Sequence, residues 1–192
     1  MVYTYRSFQM TFWFDFILKT ILQNQGSVRY NPCYLKAKGY TYQKHCYFGQ
    51  IVEGEMRLNH LGKIVYEEWL KTKEIRKNVD LDEFIIMPNH LHGIVIIKYK
   101  INVETHCNAS LQKNVFNKFG PQKHNLASII RGFKSKTTNR IHQLGFYDFH
   151  WQLRFYDHII RNEKSLDEIR QYIKTNPLKW EDDEENPKNQ KK

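Results

Sequence analysis

At 192 residues, 15% of them aromatic, the chain is long enough for one domain with a real core and too aromatic for a disordered or low-complexity protein. Its formal net charge is +10, and 27 basic residues face 15 acidic ones ahead of an acid-rich end that starts at Glu181, a balance that points to a polyanionic partner, nucleic acid first. Three widely spaced cysteines (Cys33, Cys46, Cys107) with no C-x-x-C pair argue against a disulfide framework or structural zinc and fit a reducing compartment, and no run reaches the roughly 18–20 apolar residues of a membrane span.

In chain order, residues 1–43 form a divergent, poorly defined segment. Met10–Leu18 is strand-like or helical, and Gly26, Asn31-Pro32 and Gly39 read as breaks. Cys46–Val52 predicts a short strand and turn. The spacing of Leu58, Leu61, Ile64, Val65 and Trp69 predicts a helix over Met56–Lys73. Val79–Met87 and His90–Tyr99 predict two antiparallel strands joined tightly at Pro88-Asn89. Lys100–Asn125 reads as a long loop. Leu126–Leu144 predicts a second helix, and Trp151–Ile160 an extended or irregular piece. Ser165-Leu166-Asp167-Glu168 matches a capping box for a third helix that runs to Thr175, before Pro177. Residues 181–192 are expected to be a charged, disordered tail. This order of elements implies an α+β fold with a central antiparallel sheet and packed helices.

Two patterns carry chemistry. In Met87-Pro88-Asn89-His90-Leu91-His92, the histidines sit at i and i+2 of a strand, so they project from the same face while Leu91 points into the core. Paired imidazoles are natural ligands of a divalent metal. In the third helix Tyr172 and Asn176 are one turn apart, about 40° from each other around the axis, at the margin of a stripe formed by Leu166, Ile169 and Ile173.

Together with Trp151-Gln152 and the segment Tyr156–Glu163, the His-x-His strand and the Tyr172-Ile173-Lys174-Thr175-Asn176-Pro177 helix end resemble the single-tyrosine HUH transposases, REP-associated tyrosine transposases in particular. The resemblance spans about residues 47–180 and implies a transposase-like domain over 44–180 with a ferredoxin-like, HUH/RRM-like fold. It implies that Tyr172 is the nucleophile, making a 5′-phosphotyrosine link to single-stranded hairpin DNA. His90, His92 and Asn176 would hold Mg²⁺ or Mn²⁺. Arg131, Lys134, Lys136 and Arg140 would follow phosphates, while Trp151 and Arg154 would clamp or stack on DNA. The implied protein is a monomer or homodimer, without membrane partners, cytoplasmic and nucleoid-associated.

Two departures from the family stand out. Lys38–Gln43 runs almost directly into Lys44–Gly49, so the first core strand is expected to be missing; and Leu153 stands where the family more often has a basic residue. The alternative expectation is therefore a degenerate relative that binds DNA without cleaving it.

Overall fold

Alternating burial along one strand organises the molecule. The computed structural model describes residues 28–102 and 125–189. Met10–Leu18, Cys107 and most of the Lys100–Asn125 loop lie outside them. The chain divides into two compact units, Met1–Asn31 with Lys100–Gln112, and Pro32–Tyr99 with Lys113–Lys192. Only the strand ends at 28–31 and 100–102 are described in the first, and the helices and the candidate site lie wholly in the second.

Strand β1 (Val28–Tyr40) is followed by a small hairpin, β2 (Gly49–Val52) and β3 (Glu55–Leu58), and by helix α1 (His60–Ile75). Next come β4 (Val79–Ile86), β5 (His90–Asn102), α2 (Leu126–Gln143), β6 (Tyr156–Ile160) and α3 (Glu163–Thr175). The main sheet is antiparallel, in the order β4-β5-β1-β6. With α1 between β1 and β4 and α2 between β5 and β6, this is the ferredoxin-like α+β arrangement. The expectation of a missing core strand is wrong, because β1 fills that place. On one face its Leu35 and Ala37 are buried, while Lys36 and Lys38 alternate onto the other and disguise the strand as a polar stretch. Pro32 is exposed and precedes the Tyr34–Lys38 stretch that pairs with β6, so it interrupts none of those rungs.

The sheet is covered differently on its two faces. Leu35, Ala37, Leu91, Val95 and Ile97 pack with Val65 and Trp69 of α1 and Ile129, Phe133 and Ile141 of α2. On the opposite face Ile94 and Ile160 pack with Leu166 and Ile173 of α3. One face thus carries the main core; the other holds α3 and, beyond its apolar contact, the histidine pair.

Asparagine starts each of these helices. Asn59, Asn125 and Asn162 accept hydrogen bonds from the backbone N–H of Gly62, Ser128 and Ser165 at 2.9, 2.9 and 2.8 Å. The first helix therefore begins after β3 rather than at Met56. The third begins one turn before the expected Ser165 cap, because Asn162 takes the Ser165 N–H and leaves the Ser-x-x-Glu match inside the helix. Residues 181–189 are not a disordered tail: 3₁₀ turns at Asn176–Asp182 and Pro187–Asn189 are anchored by buried Pro177, Trp180 and Asn186.

Close approach of α1 to the segment before β2 requires glycine. A Cβ on Gly62 would lie 2.1 Å from the Phe48 carbonyl oxygen. Gly62→Ala is expected to cost about 1–3 kcal/mol of stability through overpacking, read from the denaturant midpoint; an unchanged midpoint would show that α1 moves away freely.

Candidate active site

His90 and His92 open β5 and are both fully buried, with ring centroids 4.7 Å apart. The tight turn before them does more than join two strands. The Asn89 side chain donates to the Lys44 carbonyl at 2.9 Å and the Glu185 carbonyl at 2.7 Å, so its Oδ1 faces His90 Nδ1 at 2.6 Å as an acceptor. His90 must then donate from Nδ1, which leaves the lone pair on Nε2. Among the described residues, that Nε2 has no hydrogen-bond partner, and neither does either ring nitrogen of His92. Burial holds both imidazoles well below the ordinary histidine pKa. Lys38 and Lys44 add to the effect on His90; His90, Lys38 and Lys36 add to it on His92. Both rings are therefore neutral near pH 7, the form in which imidazole ligates a metal.

Helix α3 brings Tyr172 onto this pair. Its ring meets His92 at 5.5 Å between centroids, nearly perpendicular, and the Lys36 ammonium lies 4.5 Å from the ring centroid. Tyr172 is 37% exposed, so its ring is reachable from outside. Partial burial raises its pKa and the charges of Asp183 and Glu185 add to this, while a hydrogen bond from Asn176 opposes it. Asn176 is itself buried, and its Oδ1 has no hydrogen-bond partner among the described residues. The structure thus joins His90, His92, Tyr172 and Asn176, which are far apart in sequence, on one face of the sheet.

Further residues complete the surroundings. Tyr40 and Trp180 both pack on His90, with ring centroids 5.2 and 6.1 Å from it respectively. Glu185 accepts from the Tyr40 hydroxyl and pairs with Lys44 at 2.5 Å and Lys38 at 3.4 Å. Sequence reasoning missed Asn89, Lys36, Lys38, Tyr40 and Glu185. Only Asn89, in the Pro-Asn-His-Leu-His run, stood beside a visible motif.

The expected DNA-contacting residues are dispersed. Helix α2 packs on the other face of the sheet, so its basic stripe is not brought to the histidines. Arg131, Lys136 and Arg154 are exposed. Trp151 is buried against Phe48, Phe133 and Phe149 and presents no stacking surface. Lys134 donates to the carbonyls of Gln152 and Arg154 at 2.7 and 3.1 Å, tying α2 to the irregular segment that leads into β6. Arg140 pairs with Glu67 and with the buried Glu68, each at 2.8 Å. Burial pushes the Glu68 carboxyl up, but hydrogen bonds from Lys71 and Arg140 outweigh it and leave its pKa below the ordinary value. That stabilisation is complete above the ordinary carboxylate pKa and is lost as pH falls through the depressed one. Arg140→Ala is expected to cost about 1–2 kcal/mol at neutral pH, discounted for the arginine's partial exposure, and less in acid. Thermal melts at pH 7 and pH 3 check this, and an equal loss at both would show that the charge on Glu68 is not involved.

Comparison with known proteins follows this geometry. No protein-family model matches the chain. An uncharacterized protein of Haemophilus influenzae is 36% identical over 172 residues, covering 85% of this chain and 93% of its own length. The chain belongs to that protein's family. Among solved structures, a REP-associated tyrosine transposase bound to a REP hairpin aligns with a TM-score of 0.50 and 17% identity, over 82% of this chain and 73% of that one. The likeness shows a shared fold. A looser match, to a Deinococcus radiodurans protein titled as a transposase candidate, has a TM-score of 0.43 and 12% identity, over 75% of this chain and 90% of that one. Among the described residues no helix is long and apolar enough to cross a membrane.

Proposed function

We propose that this protein is a transposase-like DNA strand transferase that cleaves single-stranded hairpin DNA through a covalent bond to Tyr172. The observation that carries the proposal is the meeting of Tyr172 with buried polar atoms that have no hydrogen-bond partner among the described residues: His90 Nε2, both nitrogens of His92, and Asn176 Oδ1. Leaving such groups buried and unpaired is costly unless something binds them. Among the described residues no cluster of three His, Cys, Asp or Glu side chains could hold a metal alone. The donor set here is two neutral imidazoles and an amide oxygen, which suits a divalent cation that also takes phosphate and water oxygens, Mn²⁺ or Mg²⁺. When bound, such a cation supplies charge stabilisation at the scissile phosphate.

The chain's own groups do the rest. The phenolic oxygen of Tyr172 forms a bond to the scissile phosphorus while the bond from phosphorus to the 3′ oxygen breaks. The phenol proton passes through solvent and the departing oxygen leaves as a 3′-hydroxyl. The 5′ end stays on the enzyme as a phosphotyrosine. A phosphodiester is exchanged for another, so a second 3′-hydroxyl can reverse the step without a nucleotide cofactor. Asn89 orients His90, and Lys36 places a positive charge beside the tyrosine. The transposase assignment draws support from the shared fold and from the Tyr172–Asn176 helix end.

Incubation of the protein with single-stranded hairpin oligonucleotides and Mg²⁺ or Mn²⁺ is expected to yield a protein–DNA adduct that survives denaturing electrophoresis. Binding without any adduct across a varied hairpin library favours the degenerate, non-cleaving relative and overturns the proposal.

A further inference from the structure

Next to Tyr172, the face shared by β1 and β6 opens into a cavity of about 360 Å³. Its floor follows from the register: Lys36 stands opposite His158 and Lys38 opposite Tyr156, and directly paired residues share a face. The Glu185 carboxylate lines it as well and is already held by Tyr40, Lys38 and Lys44. Asp157 pairs with Ala37 in the same register, so its carboxylate belongs to the opposite face. Lys36 differs from its neighbour, since it pairs with no carboxylate among the described residues and its ammonium faces the Tyr172 ring. Tyr156 is 71% exposed and packs edge-on against Tyr40 at 6.3 Å.

These groups are complementary to one kind of ligand. An ammonium without a carboxylate partner takes a phosphate, and an exposed aromatic ring takes the face of a base. The volume falls in the range of pockets that enclose a single small ligand.

We propose that this cavity is a mononucleotide subsite. It takes the nucleotide adjoining the phosphate attacked by Tyr172, with Lys36 on its phosphate and Tyr156 on its base. Placement beside the scissile phosphate rests on the reading of Tyr172 as nucleophile; recognition of a nucleotide does not.

The test titrates the full chain with each of the four deoxynucleoside 5′-monophosphates and with inorganic phosphate, by calorimetry. All four nucleotides are expected to bind about tenfold more tightly than phosphate, in line with the usual gain from base stacking. Tyr156→Ala should reduce nucleotide affinity to that of phosphate, and Lys36→Met should lower it about tenfold through loss of the charge-assisted contact. Nucleotides that bind no better than phosphate, or variants that bind like the wild type, overturn the subsite. Nucleotide binding of this pattern with no covalent DNA adduct upholds the subsite and removes the nucleophile role; an adduct formed while the nucleotides bind no better than phosphate does the reverse.

Discussion

Tyr172→Phe is expected to lower adduct formation with hairpin DNA by at least about a thousandfold, because the oxygen proposed to attack the phosphate is gone. Hairpin affinity and folding should survive. The ring's contacts with His92 at 5.5 Å and with the Lys36 ammonium at 4.5 Å need only the aromatic face, which phenylalanine keeps. The residue itself is 37% exposed, but its hydroxyl is the partner of the buried Asn176 side chain, so a stability loss of about 1 kcal/mol is expected. Its hydrogen bond with Asn176 is lost, which frees a side chain that is expected to be a ligand rather than a structural prop. The readout is a pair of measurements on one protein preparation, adduct yield on a denaturing gel and hairpin affinity by anisotropy. An adduct that persists in the variant would mean that another side chain is the nucleophile.

The parts of this site that could be read from the sequence are those set by local periodicity. A strand places residues i and i+2 together and a helix places i and i+4 together, so His90 with His92, and Tyr172 with Asn176, were each visible as pairs. What joins the two pairs is tertiary, namely the packing of Ile173 and Leu166 on Ile94 and Ile160, and it could be expected only through a family resemblance. Support for the site was less visible still. Asn89 works through the carbonyls of Lys44 and Glu185, 45 and 96 residues away in sequence. Strand β1 was hidden because its site face carries Lys36, Lys38 and Tyr40 while only the opposite face is apolar.

The misread residues share one cause. A basic helix stripe looks the same in sequence whether its charges meet DNA or the protein's own acceptors. Arg140 found Glu67 and Glu68, and Lys134 found two carbonyls near β6. Sequence alone makes Trp151 a base-clamp candidate, yet its neighbours Phe48, Phe133 and Phe149 place it in the core. The acidic residues from Glu181 onward look in sequence like a solvated tail, whereas Glu185 meets the cations Lys38 and Lys44.

Asp82→Ala is expected to slow adduct formation by about a hundredfold without weakening hairpin binding, the size of effect that follows when a reacting group is displaced by about an ångström. The reason lies in how α3 is held. Between Leu81 and Phe84 the β4–β5 register shifts, so Asp82 and Glu83 fall in an irregularity of the ladder. Both carboxylates reach α3: Asp82 receives Arg170 Nη2 at 2.6 Å and Nε at 3.2 Å, and Glu83 pairs with Lys174 at 3.3 Å. Arg170 and Lys174 are one helical turn apart and straddle Tyr172, so the two pairs fix the helix in rotation as well as in position. The Arg170–Asp82 pair is the better shielded, with side chains 18% and 14% exposed, and losing the carboxylate strips the guanidinium of its shortest contact. A stability loss of about 2 kcal/mol is expected, below the figure for a fully buried pair because some solvent reaches this one. At a temperature where the variant is still folded, single-turnover adduct formation measured at saturating DNA isolates the positioning effect. A rate equal to wild type would mean that the apolar contact of Leu166 and Ile173 with the sheet aims Tyr172 unaided.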